Sequence, residues 1–181
     1  MSEIPRTQGL AVAAIVHAPL DSADRLLTEF ALHLRSQGWR VQGVIKETSA
    51  RSKASARQMV LVDIVDDTRF TISHDLGSGS PSCAVDPGDV AAASVALRRG
   101  LAAGADLVVA NRFGELEARG GGYAAAMLEL MAKGVPLLTV VAEKHLEDWR
   151  RFTGNSAKQL RPRRDALRSW FASIPRIALT K

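Results

Sequence analysis

The chain has 181 residues, 46% of them apolar or aromatic, and a formal net charge of +5. That length suits one α/β domain over residues 1–181 with a core of useful size, and no apolar run nears the roughly 18 residues of a membrane span. The start, MSEIPRTQG, lacks the pattern of a secretory signal, and the lone Cys83 excludes an intrachain disulfide and fits the reducing cytoplasm.

Four histidines (His17, His33, His74, His145) show no zinc-binding spacing. The charge is uneven. Residues 144–181 hold ten Lys or Arg against three acids, an excess of seven, so the remainder is slightly acidic. A basic end suits phosphate, nucleic acid or an acidic partner, and equally a solvated helix face.

Residues 10–16 (LAVAAIV) read as a strand covered on both faces. A helix follows over about 22–37, with Leu26, Leu27, Phe30, Ala31 and Leu34 at helical spacing, Asp21 or Ser22 as N-cap, and Gly38 ending it. Residues 40–46 (RVQGVIK) form the next strand. Strand, helix and strand at this spacing make a βαβ unit, whose strands run parallel. Residues 48–57 are small, polar and basic and read as a loop. Residues 58–65 and 69–73 read as a hairpin turning at Asp66-Asp67.

The stretch 74–87 (HDLGSGSPSCAVDP) is rich in Gly and Ser, and Asp86-Pro87 then starts a helix to about Ala102. Leu107-Val108-Val109-Ala110 is a second buried strand, emptying into Asn111, Arg112, Gly114, Glu115 and Glu117. Ligands of parallel α/β sheets bind beyond the carboxyl ends of strands, where these polar residues fall; an ordinary charged surface loop has the same composition. Gly120-Gly121-Gly122 turns the chain into a helix over 123–133. A strand over 137–141 and helices over 144–152 and 161–171 complete it. The expected fold is a three-layer α/β domain with a mostly parallel sheet. Strands 10–16 and 107–110 should lie side by side or one strand apart.

The slot between the first strand and first helix has the length and place of a phosphate loop, G-x-x-x-x-G-K-[ST]. There, glycine amides wrap phosphate, the lysine neutralises it and the hydroxyl holds magnesium. Here it reads HAPLDSAD: His17 and Ser22 stand at the glycines, Ala23 at the lysine and Asp24 at the hydroxyl. The helix start still favours an anion, but Asp21 and Asp24 oppose one. The loop is a degenerate phosphate loop that would not wrap a triphosphate.

The segments ISHDLGSGSPSCAVDP, GADLVVANRFGELEARGGGY and KGVPLLTVV resemble a bacterial domain family, without an established activity, often encoded beside molybdate-transport genes. The likeness covers about residues 10–170. More remotely, the layout is similar to the thermophilic nucleoside-triphosphatase family of P-loop proteins, whose second motif is D-E-x-G-K-x-E. Gly114 and Glu117 match it, while Asn111 replaces the magnesium-associated aspartate and Arg112 the next glutamate. The resemblance implies a P-loop-NTPase-like fold, with magnesium and a nucleotide as cofactor and ligand. The departures remove the residues that hydrolysis needs.

Three functions stay open. One is binding of a nucleotide or oxyanion, molybdate included, by Arg112, the amides of Gly77, Ser78 and Gly79, and the loop His17, Asp21, Ser22, Asp24. Another is a rebuilt hydrolase with His17, His74, Asp75 and Glu115 as acid–base groups and Cys83 as nucleophile. The third is an interaction module using the basic end, where Trp149, Phe152, Trp170 and Phe171 sit among arginines. Aromatics at helical spacing are more often core than a stacking surface for bases. Asp21, Asp24, Glu115 and Glu117 would hold a metal or pair with Arg112.

Overall fold

The computed structural model describes residues 10–47, 59–74, 84–85 and 87–175. Strand β1 (Val12–His17) leads through a short turn to helix α1 (Ala23–Ser36) and strand β2 (Val41–Lys46). Strands β3 (Val60–Asp63) and β4 (Arg69–Thr71) form the expected antiparallel hairpin. Two short paired strands follow, β5 (Ser73–His74) and β6 (Ala84–Val85). Next come helix α2 (Pro87–Ala102), strand β7 (Leu107–Phe113), the single turn α3 (Glu115–Ala118) and helix α4 (Ala124–Ala132). Strand β8 (Leu137–Ala142), a 3-10 turn (Glu143–His145), helix α5 (Leu146–Phe152), strand β9 (Lys158–Leu160) and helix α6 (Arg164–Ser173) finish the chain.

Seven strands make one sheet in the order β4-β3-β2-β7-β8-β1-β9. From β2 to β9 every neighbouring pair is parallel, and the β3–β4 hairpin adds the antiparallel edge. β1 and β7 lie one strand apart, with β8 between them. Alternate side chains along each central strand feed two separate cores. Ala13, Ile15, Val109, Leu138 and Val140 pack with Leu27, Phe30 and Leu34 of α1 and with Leu167 and Trp170 of α6. Val12, Ala14, Val108 and Leu137 pack with Val90 and Leu97 of α2, Met127 and Leu130 of α4 and Trp149 of α5. The result is three layers, with helices on both faces, as parallel sheets require.

The structure departs from the sequence reading in several places. β7 runs on to Phe113, with an irregular register between Ala110 and Phe113 that carries Asn111 and Arg112 within the strand. The Asn111–Arg112 peptide is cis. Phe113 anchors the extension, packing edge-on against Trp149 at 5.1 Å between ring centroids and beside Phe152 at the same distance. The segment read as a turn after it closes one helical turn, α3. Strand β9 was not foreseen: its residues are largely exposed, and backbone pairing to β1 makes it a strand. Among the described residues, no helix is long and apolar enough to cross a membrane.

Candidate functional site

Parallel strands open their carboxyl ends on one edge, so the ends of β1, β2 and β7 bring His17, Lys46, Asn111 and Arg112 together. Asp24, in the first turn of α1, projects into this edge. Its Oδ2 accepts from Arg112 Nη2 at 2.7 Å and from Lys46 Nζ at 3.3 Å, and its Oδ1 from Asn111 Nδ2 at 2.9 Å. The orientation of the Asn111 amide follows from chemistry, because a carboxylate only accepts and the atom facing it must be the NH2. Burial pushes the Asp24 pKa up, but Arg112, Asn111 and Lys46 outweigh it and hold the carboxyl below its ordinary range. Two cations meet one carboxylate, so this cluster carries a net positive charge.

Three buried polar atoms at this edge have no protein partner: Asn111 Oδ1, Arg112 Nε and His17 Nε2. Asn111 is 2% exposed and His17 8%. His17 Nδ1 donates to the Ala18 carbonyl at 2.8 Å, and its Nε2 has no protein partner. Buried polar groups in proteins are nearly always satisfied, so Asn111 Oδ1 and Arg112 Nε, on adjacent residues that both bind Asp24, are the groups here that call for a further partner.

Asp21 is exposed, and its Oδ2 accepts from the Ala18 amide at 2.9 Å, closing the turn. Ser22 occupies the N-cap position of α1 without a side-chain cap bond. Asp21 and Ser22 line an open groove of about 370 Å³ with Arg25, Glu29, Pro162 and Arg164, which none of the Asp24 cluster lines. His74 lies on β5. Asp75, Gly77, Ser78, Gly79 and Cys83 lie outside the described residues.

The acids expected to share a metal or to pair with Arg112 are separated. Only Asp24 pairs with Arg112. Glu115 is exposed and pairs with Arg119 at 2.5 Å. Glu117 is buried, and its Oε2 accepts from the Gly114 amide at 3.0 Å and its Oε1 from the Tyr123 amide at 3.2 Å. It clamps the loop that follows β7. Burial raises its pKa, and the amides and the charge of His145 offset that only in part. Tyr123 beside it is likewise pushed up, by burial and then by Glu117.

Among the described residues, no three His, Cys, Asp or Glu side chains gather as a metal site. The magnesium implied by the fold does not fit this edge. Asp24 already spends both oxygens on Arg112, Lys46 and Asn111, and two cations stand where a third would have to enter. Lys46 is a second fixed cation there beside Arg112. Lys46 was missed by the sequence reading, although the end of a parallel β2 had to open on this edge.

A chain built on this plan has recognisable relatives. It is 34% identical over 160 residues to the molybdenum import ATP-binding protein ModC 2 of Bradyrhizobium diazoefficiens, a match taking in 88% of this chain. The chain spans only 18% of that protein's length. Among solved structures, that of a human cancer-related nucleoside triphosphatase is similar, with a TM-score of 0.63 at 17% identity. The match covers 90% of this chain and 94% of the other. With the mostly parallel seven-stranded sheet, that likeness makes the fold P-loop-NTPase-like. The family model for the protein of unknown function DUF2478 matches residues 12–170, and the chain belongs to that family.

Proposed function

We propose that the protein binds a phosphate-type oxyanion, free or as the terminal group of a nucleotide, at the carboxyl edge of its sheet, without efficient hydrolysis. The observation that carries this reading is the convergence of Arg112, Lys46 and Asn111 on one point beside the start of α1. Arg offers planar donors, Lys a point charge, and the helix start free amides, the three means by which proteins hold oxyanions. The phosphate loop is degenerate. Ala23, at the place of its lysine, is packed into the core at 1% exposure. The names of the relatives support a nucleotide or a molybdenum-related oxyanion as the natural ligand. We place the protein in the cytoplasm and treat residues 1–181 as one domain.

Among the described residues, nothing in the geometry favours a rebuilt hydrolase over this reading. Glu115 is tied to Arg119, and Glu117 to backbone amides. The test is calorimetric titration with phosphate, molybdate, tungstate and ATP, each with and without magnesium. Binding is expected without magnesium, and Arg112→Ala should weaken it about tenfold, the loss of one charge-assisted pair. Binding that survives Arg112→Ala unchanged, or robust magnesium-dependent turnover of ATP, would overturn it.

A further inference from the structure

We propose that the Asp24 carboxylate occupies the anion seat itself, so that an oxyanion binds by displacing it. This rests on the reading above and adds how the site is closed. In chemistry, the carboxylate is what the seat is built for: an acceptor-only anion holding Arg112 at 2.7 Å, Asn111 at 2.9 Å and Lys46 at 3.3 Å. In place, it stands in the first turn of α1, where a helix favours a negative group. It falls at the position of the phosphate-loop hydroxyl.

The fit is incomplete, and the way it is incomplete points to a larger occupant. Arg112 presents Nη2 to Asp24 while Nε stays buried without a partner. Those two N–H groups form one edge of the guanidinium, the edge that takes a planar or tetrahedral oxyanion through two parallel bonds. Asp24 uses half of it. Asn111, 98% buried, donates to Asp24 through Nδ2 while Oδ1 faces no donor. A hydrogenphosphate group would satisfy both, accepting from Arg112 Nε and Nη2 and donating its P–OH to Asn111 Oδ1. The side chains of Lys46 and Arg112 are each 35% exposed and that of Asp24 22%, so solvent reaches the cluster. Asp24 is therefore an internal competitor that keeps the seat closed to weak anions.

Inorganic phosphate titrated calorimetrically into the full-length chain at low salt tests this. Asp24→Ala should bind phosphate about tenfold tighter than the unmodified chain, because the competitor is gone and two cations lose their partner. Asp21→Asn, an acid three residues away that touches none of the seat, should stay within about twofold, which separates displacement from a general change in charge. Adding Arg112→Ala to Asp24→Ala should abolish the gain. Should Asp24→Ala fail to fold, Asp24→Asn keeps an acceptor for Arg112 and should show a gain of the same sign. In the unmodified chain, phosphate should move the Arg112 Nε–H resonance. If the unmodified chain binds phosphate and neither Asp24 variant binds it better, Asp24 is a scaffold residue; the inference fails and the binding reading stands. If no variant binds phosphate, molybdate or ATP, both fall.

Discussion

Arg112 Nη2 meets Asp24 Oδ2 at 2.7 Å across 88 positions of sequence. The contact ties the first turn of α1, which follows β1, to the irregular end of β7, and β8 separates those two strands. Lys46 of β2 joins the same oxygen, so one carboxylate gathers the edge of the sheet.

The pH dependence of this tie has a definite sign. The pKa of Asp24 in the fold lies below its ordinary value of 3.8: burial raises it, and Arg112, Asn111 and Lys46 overcome the rise. The folded chain then binds the proton less tightly than the unfolded one. The stability Asp24 contributes is complete above its unfolded pKa and is lost as pH falls through the folded value. Asp24→Asn should cost about 1–3 kcal/mol near neutral pH, the range for a hydrogen-bonded charged group. The gap to the unmodified chain should begin to narrow below about pH 4 and close only below the folded pKa. Urea unfolding at several pH values measures it; a gap independent of pH down to 3 would mean the carboxylate's charge is not what matters.

Glu117 and Gly122 make a second tie. Gly122 has a left-handed φ of +55°, and a Cβ there would lie 2.2 Å from Glu117 Oε1. Gly122→Ala must therefore strain the backbone and also displace a buried carboxylate from two amides. The expected cost is about 2–4 kcal/mol. Gly120, at φ +86° with nothing near its Cβ position, is the control, and Gly120→Ala should cost only the backbone share of about 1–2 kcal/mol. Equal losses in denaturant melts would show that the loop yields around Glu117.

Trp149 and Phe113 decide what the aromatics of the basic end do. Trp149 is 1% exposed and Trp170 6%, and Phe171 packs edge-on against Trp39 at 5.3 Å. Trp149 and Trp170 are core and Phe171 is half-buried against it, so single-stranded DNA should leave tryptophan emission unchanged. Trp149→Ala should cost about 3–5 kcal/mol in thermal or denaturant unfolding. Quenching by DNA with the native fold intact would reopen the stacking role.

The central sheet could be read from sequence because β1, β7 and β8 are covered on both faces and so are written as mostly apolar runs, with Thr139 the polar residue inside β8. The hairpin was legible from its two runs and its Asp66-Asp67 turn. Strand β9 was not: Lys158 and Gln159 are exposed, and their pairing with β1 leaves no hydrophobic signal. At the site, the meeting of the loop after β1 with the end of β7 followed from parallel topology alone. What did not follow was the division of labour among the acids. Asp24, Glu115 and Glu117 are alike in type, and their roles come from depth: half-buried among cations, exposed beside Arg119, and buried on backbone amides. Lys46 looked like an ordinary strand end until Asp24 was seen within its reach.

Ala23 gives the last expectation. On the proposed reading of the loop after β1, it takes the place of a phosphate-loop lysine, so Ala23→Lys is the obvious attempt to introduce hydrolysis. In the fold, Ala23 is 1% exposed and packs in the core with Ile15, Leu27 and Val140. A lysine there must bury its ammonium or lift the start of α1 away from the sheet, and an unpaired buried charge costs several kcal/mol. Lifting α1 would also pull Asp24 from Arg112. The variant should therefore lose at least about 2 kcal/mol of stability and release no phosphate from magnesium–ATP above background. Asn111 still lacks the charge to hold a divalent cation, and Ser22 still stands in place of the second glycine. Phosphate release followed colorimetrically, beside a melting curve of the same sample, reads both effects. A stable Ala23→Lys variant that hydrolyses ATP would show that the phosphate loop needs only its lysine to work.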